Sequence, residues 1–189
     1  AAPARPGDGL LSTAASGGAS KTLIRWKDMM WYDYSIEQTR FEGGVELTHL
    51  SGAELEKVFA GALDAGKLPA GRRTFLGCHA LTVDFRERGA EAGGSDRRMG
   101  RLSSERLRQF QGTGDVTLQD ESAGIALSAD SVGFEKDRSL LSIHGSRSRK
   151  ARIVVQRPGE YPQDYSAERF FYNLATRTIE SVDQSFRGR

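Results

Sequence analysis

The chain has 189 residues, with 27 lysine and arginine residues against 25 aspartate and glutamate residues. That length permits one substantial domain or two small ones, and the net charge of +2 gives no general reason to expect a nucleic acid partner. The single cysteine excludes an internal disulfide framework. No run of about 18 apolar residues occurs, so no transmembrane segment is predicted in this chain.

The first twenty residues are rich in alanine, glycine, serine and proline, a composition typical of a linker or a mature N-terminus. We expect residues 1–20 to be a flexible N-terminal segment from which a targeting signal has been removed. Residues 21–186 are predicted to form a single β domain.

The first predicted element of that domain is a hairpin. DMMWY at 28–32 alternates its side chains between two faces, and TRFEGGVELTHL at 39–50 supplies the returning strand. A period of two is typical of a strand with one buried face.

One inserted helix is predicted next, at about 52–66. In SGAELEKVFAGALDAGK (51–67) apolar residues recur at i, i+3, i+4, i+7 and i+8, which gives a single apolar stripe. Ser51 and Glu54 fit a capping box, and Gly66 fits a C-terminal stop. The stripe could cover one end of the β structure or dock a partner. A second, short helical turn is predicted at 103–110.

The hairpin pattern recurs along the chain. Aligning Tyr32 with Phe85, Phe134 and Tyr172 superimposes four strand–turn–strand units, and Gly43 then falls on Gly145. Further strands are predicted at 115–119, 124–129 and 151–156, which brings the total to between ten and twelve. The predicted fold class is all-β, with repeated antiparallel hairpins and a curved pair of sheets.

The alternating strands place a set of apolar side chains on the inward face. These are Met30, Tyr32, Val83, Phe85, Val132, Phe134, Phe170 and Tyr172. Such an interior can close on itself as a core, or it can remain partly open as a groove that holds acyl chains.

Reactive groups are sparse. His49, His79 and His144 lack the local spacing of metal ligands, and no nucleophile, phosphate-binding or dinucleotide-binding motif is present. Cys78 is predicted to be structural. Three acids recur at equivalent strand starts, which favours a structural role over catalysis: Asp28, Asp130 and Glu168. The sequence therefore predicts no catalytic residue, no metal site and no cofactor.

Basic residues concentrate in a short segment near 150, at Arg147, Arg149, Lys150 and Arg152. They could be solvated residues of strand edges, or they could contact an anionic headgroup. Aromatic residues do not interleave with them, which argues against nucleic acid binding.

The repeated unit resembles the OstA-like, or LptA-like, domain, which is the periplasmic module of lipopolysaccharide-transport proteins. The resemblance is carried by DMMWYDYSIEQTRFEGGVEL (28–47), HALTVDF (79–85), FQGTGDVTL (110–118), SADSVGFEKDRSLLSIHG (128–145) and YSAERFFYNLATRTIES (165–181). It implies an open, twisted β-jellyroll whose apolar groove shields lipid acyl chains between two membranes. It also implies a periplasmic location and edge-to-edge joining with other OstA-like domains.

Two hypotheses follow. The first is a non-enzymatic cell-envelope domain that binds or shuttles lipopolysaccharide or another acyl lipid in the groove. The second is a structural or assembly module that pairs through its edge strands with partner β domains without binding lipid. An enzyme ranks third, and a cluster of the three histidines would favour it.

Overall fold

The structure, a computed structural model, describes residues 20–51, 73–85, 107–157 and 159–181. These residues form eleven β-strands and one short 3-10 turn at Lys136–Arg138. The strands are β1 (Ser20–Arg25), β2 (Met29–Asp33), β3 (Gln38–Ser51), β4 (Arg73–Asp84), β5 (Gln109–Asp120), β6 (Ile125–Glu135), β7 (Leu140–His144), β8 (Ala151–Val155), β9 (Gln163–Ala167), β10 (Arg169–Asn173) and β11 (Thr178–Ser181). The predicted helix at about 52–66 and residues 1–19 lie outside the described ranges. Within those ranges, no helix has the length and apolar character needed to cross a membrane.

The strands form one antiparallel sheet in the order β1-β3-β4-β5-β6-β7-β10-β11. Three further strands lie outside this order: β2 pairs with β3, β8 pairs with β6, and β9 pairs with β8. Among the described strands the two ends of this order do not pair with each other, so the sheet is open. The predicted all-β, open antiparallel fold is confirmed.

Bulges divide this sheet into two layers. The pairing register shifts between Glu42 and Val45, between Gly77 and Ala80, and between Thr113 and Val116, and a bulge bends the strand that carries it. These three bulges lie side by side across β3–β6. On one side of the bulges the sheet is extended by β2, β7, β10 and β11, and we call this the front layer. On the other side β1, β8 and β9 extend it, and we call this the back layer. The long strands β3–β6 run through both.

The core lies between the two layers. Buried and exposed side chains alternate along β5, as a strand with one buried face requires. The buried apolar residues form one cluster that includes Phe134 and Phe170 of the front layer and Ile153 and Val155 of the back layer. The inner faces of both layers therefore pack against a common interior.

Three of the four predicted hairpins share one turn geometry. Glu37, Ser139 and Arg177 have left-handed backbones, with φ of 47°, 54° and 56°. Each lies five residues after its aromatic anchor in the alignment of the repeats. The repeat is therefore a repeat of backbone conformation as well as of sequence. The copy anchored at Phe85 continues into residues 86–106, outside the described ranges.

The repeated glycine of the hairpins is required by close packing. A methyl group on Gly43 would collide with the side chain of Asp28, and one on Gly145 would collide with the backbone of Ala151. The side chain of Asp28, which is itself exposed, therefore lies against Gly43.

The prediction of a short helical turn at 103–110 is wrong for residues 107–110, which the structure describes. Gln109 and Phe110 begin β5, and Phe110 pairs with Val83 on one side and Phe134 on the other. Pairing with two strands determines the conformation here, because it buries the Phe110 ring in the core.

Candidate functional site

The inner face of the front layer carries two continuous rows of directly paired residues. The first row runs through Met30, Phe41, Leu81, Gly112, Val132, Ile143 and Phe170. The second row runs through Tyr32, Thr39, Val83, Phe110, Phe134, Leu141, Tyr172 and Ile179. Seven of the eight residues predicted to face inward lie in these rows, because the period-two pattern places the same face of each strand inward. The eighth, Phe85, follows β4 and packs partly buried against the core.

The rows change from packed core to open surface at β2. Val83, Val132, Phe134, Phe170 and Tyr172 are between 0% and 3% exposed. In contrast, Met30 is 47% exposed and Tyr32 is 38% exposed. The groove candidates thus divide into a packed interior and an accessible edge, a distinction that alternation alone does not reveal.

Exposed large apolar side chains concentrate at this edge. In the described ranges nine are exposed, and seven of them fall between residues 23 and 34: Leu23, Trp26, Met29, Met30, Trp31, Tyr32 and Tyr34. Such a concentration is typical of surfaces that contact another molecule.

Trp26 belongs to the inner side of this edge. Its ring lies 5.0 Å from the buried Phe41 ring, centroid to centroid. We define the open edge as the inward-facing Trp26, Met30 and Tyr32. Trp26 was not among the groove residues predicted from the sequence, although the clustering of aromatic residues at 26–34 was a signal for it.

The opposite face of β2 is also exposed. Met29 and Trp31 pair with Glu42 and Arg40 of β3. The Arg40 guanidinium lies 6.0 Å from the Trp31 ring centroid. Consecutive residues of β2 therefore lie on two different surfaces, with Met30 and Tyr32 on the inner face and Met29 and Trp31 on the outer face.

Two of the four basic headgroup candidates already bind carboxylates. Arg149 contacts both Asp115 and Asp130, with its Nε donating to Asp130 Oδ1 at 2.7 Å. This hydrogen bond is the main reason that the pKa of the Asp130 carboxyl is lowered. Arg152 Nε donates to Asp164 Oδ1 at 2.9 Å, and this bond lowers the pKa of Asp164.

The other two basic candidates, Arg147 and Lys150, are exposed. Neither forms an ion pair within the part of the chain that the structure describes. Lys150 and Arg149 line a surface pocket of about 120 Å³ whose wall also includes Asp115. Lys150 and Arg147 are thus the two cations of this segment with unneutralised charge.

The histidines do not form a cluster that could hold a metal. No group of three histidine, cysteine or acidic side chains with that geometry occurs within the described ranges. His144 accepts a hydrogen bond at Nδ1 from Arg169 Nε at 3.2 Å, whereas His79 lies exposed on β4. Burial raises the pKa of Cys78 to about 11, so its thiol is protonated at neutral pH and is a poor nucleophile.

His49 belongs to a polar ladder in the back layer, buried except for the half-buried Thr22. Thr22, His49, Thr74 and Asp120 are successive partners across β1, β3, β4 and β5. His49 Nδ1 lies 2.8 Å from Thr22 Oγ1, and Thr74 Oγ1 donates to Asp120 Oδ2 at 2.8 Å. Burial lowers the pKa of His49 to about 4, with the charge of Asp120 acting in the opposite direction. The neutral imidazole of His49 is only 2% exposed and offers no acid–base group to solvent.

The comparison with solved structures finds a protein of the same fold. It is LptH from Pseudomonas aeruginosa, described as the LptA-homologous periplasmic component of the lipopolysaccharide transport device. The match covers 89% of this chain and 91% of LptH, with a TM-score of 0.50 and 9% sequence identity. The LptA-like fold predicted from the repeats is confirmed. No family model matches the sequence, and no characterised protein matches it significantly by sequence alone.

Proposed function

We propose that this chain is a non-enzymatic cell-envelope domain that binds lipopolysaccharide or a similar acyl lipid at its open edge. The observation that supports this is the continuity of the two inner rows, which pass from the packed core to the exposed Met30 and Tyr32. Water in contact with Trp26, Met30 and Tyr32 is unfavourable by about 25 cal/mol per Å² of apolar surface. An acyl chain lying against them would remove that contact.

The fold supports the same proposal by analogy. LptH has this architecture over most of its length and is described as a periplasmic component of lipopolysaccharide transport. We infer by analogy that this chain also acts in the periplasm and takes part in outer-membrane lipid transport.

Contact with an anionic headgroup is proposed for the segment near 150. Of the four predicted cations, Arg147 and Lys150 are the stronger candidates, because Arg149 and Arg152 are already neutralised by carboxylates. Replacing both Arg147 and Lys150 by alanine is expected to weaken the binding of anionic lipid and to reduce its salt dependence. Arg152→Ala serves as the matched control, and an equal loss in this variant would contradict the assignment.

The assembly role remains a second candidate, because the described sheet ends in unpaired edges. β2 pairs only with β3 on one side, and β11 pairs only with β10 at the other. Such edges can accept a strand from another OstA-like domain. Sedimentation over a range of protein concentrations, with and without lipid, distinguishes the two roles. Oligomers without any lipid binding would favour assembly alone.

The two tryptophans of the chain provide a test of the lipid proposal. Trp26 packs against the inward Phe41, whereas Trp31 lies on the opposite face of β2. Titration with purified lipopolysaccharide should shift the emission of the Trp31→Phe variant, in which only Trp26 remains. It should leave Trp26→Phe almost unchanged. An unchanged spectrum in both variants, with no lipid retained by the native protein in mass spectrometry, would exclude the proposal.

A further inference from the structure

One polar atom in the second inner row has no partner. Thr39 is only 2% exposed, and its Oγ1 is the one buried side-chain oxygen or nitrogen that lacks a hydrogen bond in the described ranges. Buried polar groups in folded proteins are almost always hydrogen-bonded, because leaving one unpaired is destabilising. An unpaired hydroxyl at an inward position is therefore a candidate hydrogen-bonding group for a bound molecule.

The neighbours of Thr39 leave its hydroxyl unpaired. Val83 lies directly opposite on β4, and Tyr32 lies directly opposite on β2. Phe41 is the next inward residue along β3, about 7 Å away, and carries Trp26 against its ring. The aliphatic and aromatic groups of Val83 and Phe41 cannot pair with the hydroxyl. A valine at position 39 would fill nearly the same volume without an unpaired polar atom.

Thr39 also occupies the boundary between open edge and core. In the second row it is the first buried residue inward from Tyr32, which is 38% exposed. Tyr32 makes an edge-on contact with the exposed Tyr34, at 4.6 Å between ring centroids. Because Tyr32 lies directly opposite Thr39 on the edge strand, a ligand that reaches the Thr39 hydroxyl from the solvent side has to displace the Tyr32 ring.

We propose that Thr39 hydrogen-bonds the polar linkage of an amphiphile, an ester or amide carbonyl at the head of its acyl chain. The chain itself lies against the exposed Met30 and Trp26. This inference rests on the proposed function and adds to it a requirement on the ligand. The site takes acyl chains that are joined to their polar end through a carbonyl group, in preference to alkyl chains that are joined through an ether oxygen.

A pair of matched amphiphiles tests this assignment. N-decanoyl-N-methylglucamine has an amide carbonyl beside its chain, and decyl glucoside has an ether oxygen at that place. Both are uncharged and carry chains of equal length. Their binding to the full chain is measured below the micelle concentration by the emission of the Trp31→Phe variant, with Thr39 intact or replaced by valine or serine.

The expected result is selective. Thr39→Val weakens the binding of the amide amphiphile about fivefold, which corresponds to one hydrogen bond, and leaves that of decyl glucoside unchanged. Thr39→Ser retains the hydroxyl and retains the preference for the amide. The denaturation midpoint of Thr39→Val equals or exceeds that of the native protein, which shows that the fold is intact.

Other outcomes would overturn the assignment in distinguishable ways. Equal losses for both amphiphiles in Thr39→Val, or no loss for either, would exclude the role of Thr39 and leave the lipid site in place. Failure of the parent protein to bind either amphiphile, or lipopolysaccharide, would exclude the proposed function and the role of Thr39 with it.

Discussion

The indole of Trp26 packs on the ring of Phe41 with centroids 5.0 Å apart and planes inclined at 53°. Trp26 is 41% exposed and Phe41 is 3% exposed, so this pair lies at the boundary between the exposed open edge and the core. Trp26→Ala should therefore weaken amphiphile binding several-fold, because the acyl chain loses a large apolar contact. Trp31→Ala, on the opposite face, is the matched control for isothermal titration calorimetry. Equal weakening in the two variants would contradict an inward-facing site.

The buried part of the rows should respond to mutation as a core. Phe134 is 1% exposed and its ring lies 5.5 Å from that of Phe110. Phe134→Ala should lower the free energy of unfolding by about 3–5 kcal/mol, as measured by urea denaturation. Tyr32→Ala, in the same row but at the exposed edge, should lower it by about 1 kcal/mol or less. A small effect of Phe134→Ala would mean that the interior is a groove and not a packed core.

Stability should fall in mild acid because of His49. Its pKa is about 4 in the folded protein and about 6.5 in an unfolded chain. Between these values the unfolded chain binds more protons, so lowering the pH through this window favours unfolding. The expected loss attributable to His49 is about 3 kcal/mol between neutral pH and pH 4.

The variant His49→Gln isolates that contribution. Its side chain does not titrate, so its stability should vary less steeply with pH than that of the native protein over the same window. Denaturation curves recorded at a series of pH values give both slopes, and parallel slopes would show that His49 is not the group responsible.

A glycine substitution in one of the repeated turns should stabilise the folded protein. Glu37 is exposed and has a φ of 47°, a conformation that is unfavourable for residues with a Cβ atom. Glu37→Gly should raise the free energy of unfolding by about 0.5–1 kcal/mol, since glycine adopts this backbone without steric cost. Glu37→Ala removes the same charge but retains the Cβ atom, so thermal denaturation should show no comparable gain for it.

The inward-facing residues were predictable because they depend on local alternation. Val132 and Phe134 share a face of β6 whatever the order of the strands. Which residues are exposed was not predictable, because that depends on β2 lying at the edge of the sheet, and strand order is a long-range property. The pairing of Arg149 with Asp115, 34 positions away, was hidden for the same reason. Thr39 was present in the returning strand TRFEGG as a polar residue at an inward position, which is the only local sign of the proposed polar subsite.

Photocrosslinking along β2 tests the central claim most directly. A photoreactive amino acid is placed in turn at Met29, Met30, Trp31 and Tyr32, and each variant is irradiated with lipopolysaccharide. Because side chains alternate between the two faces of β2, crosslinks should form from positions 30 and 32 and be weak or absent from 29 and 31. Equal crosslinking at all four positions, stronger crosslinking from 29 and 31, or none at any position would contradict a lipid site on the inner face of the open edge.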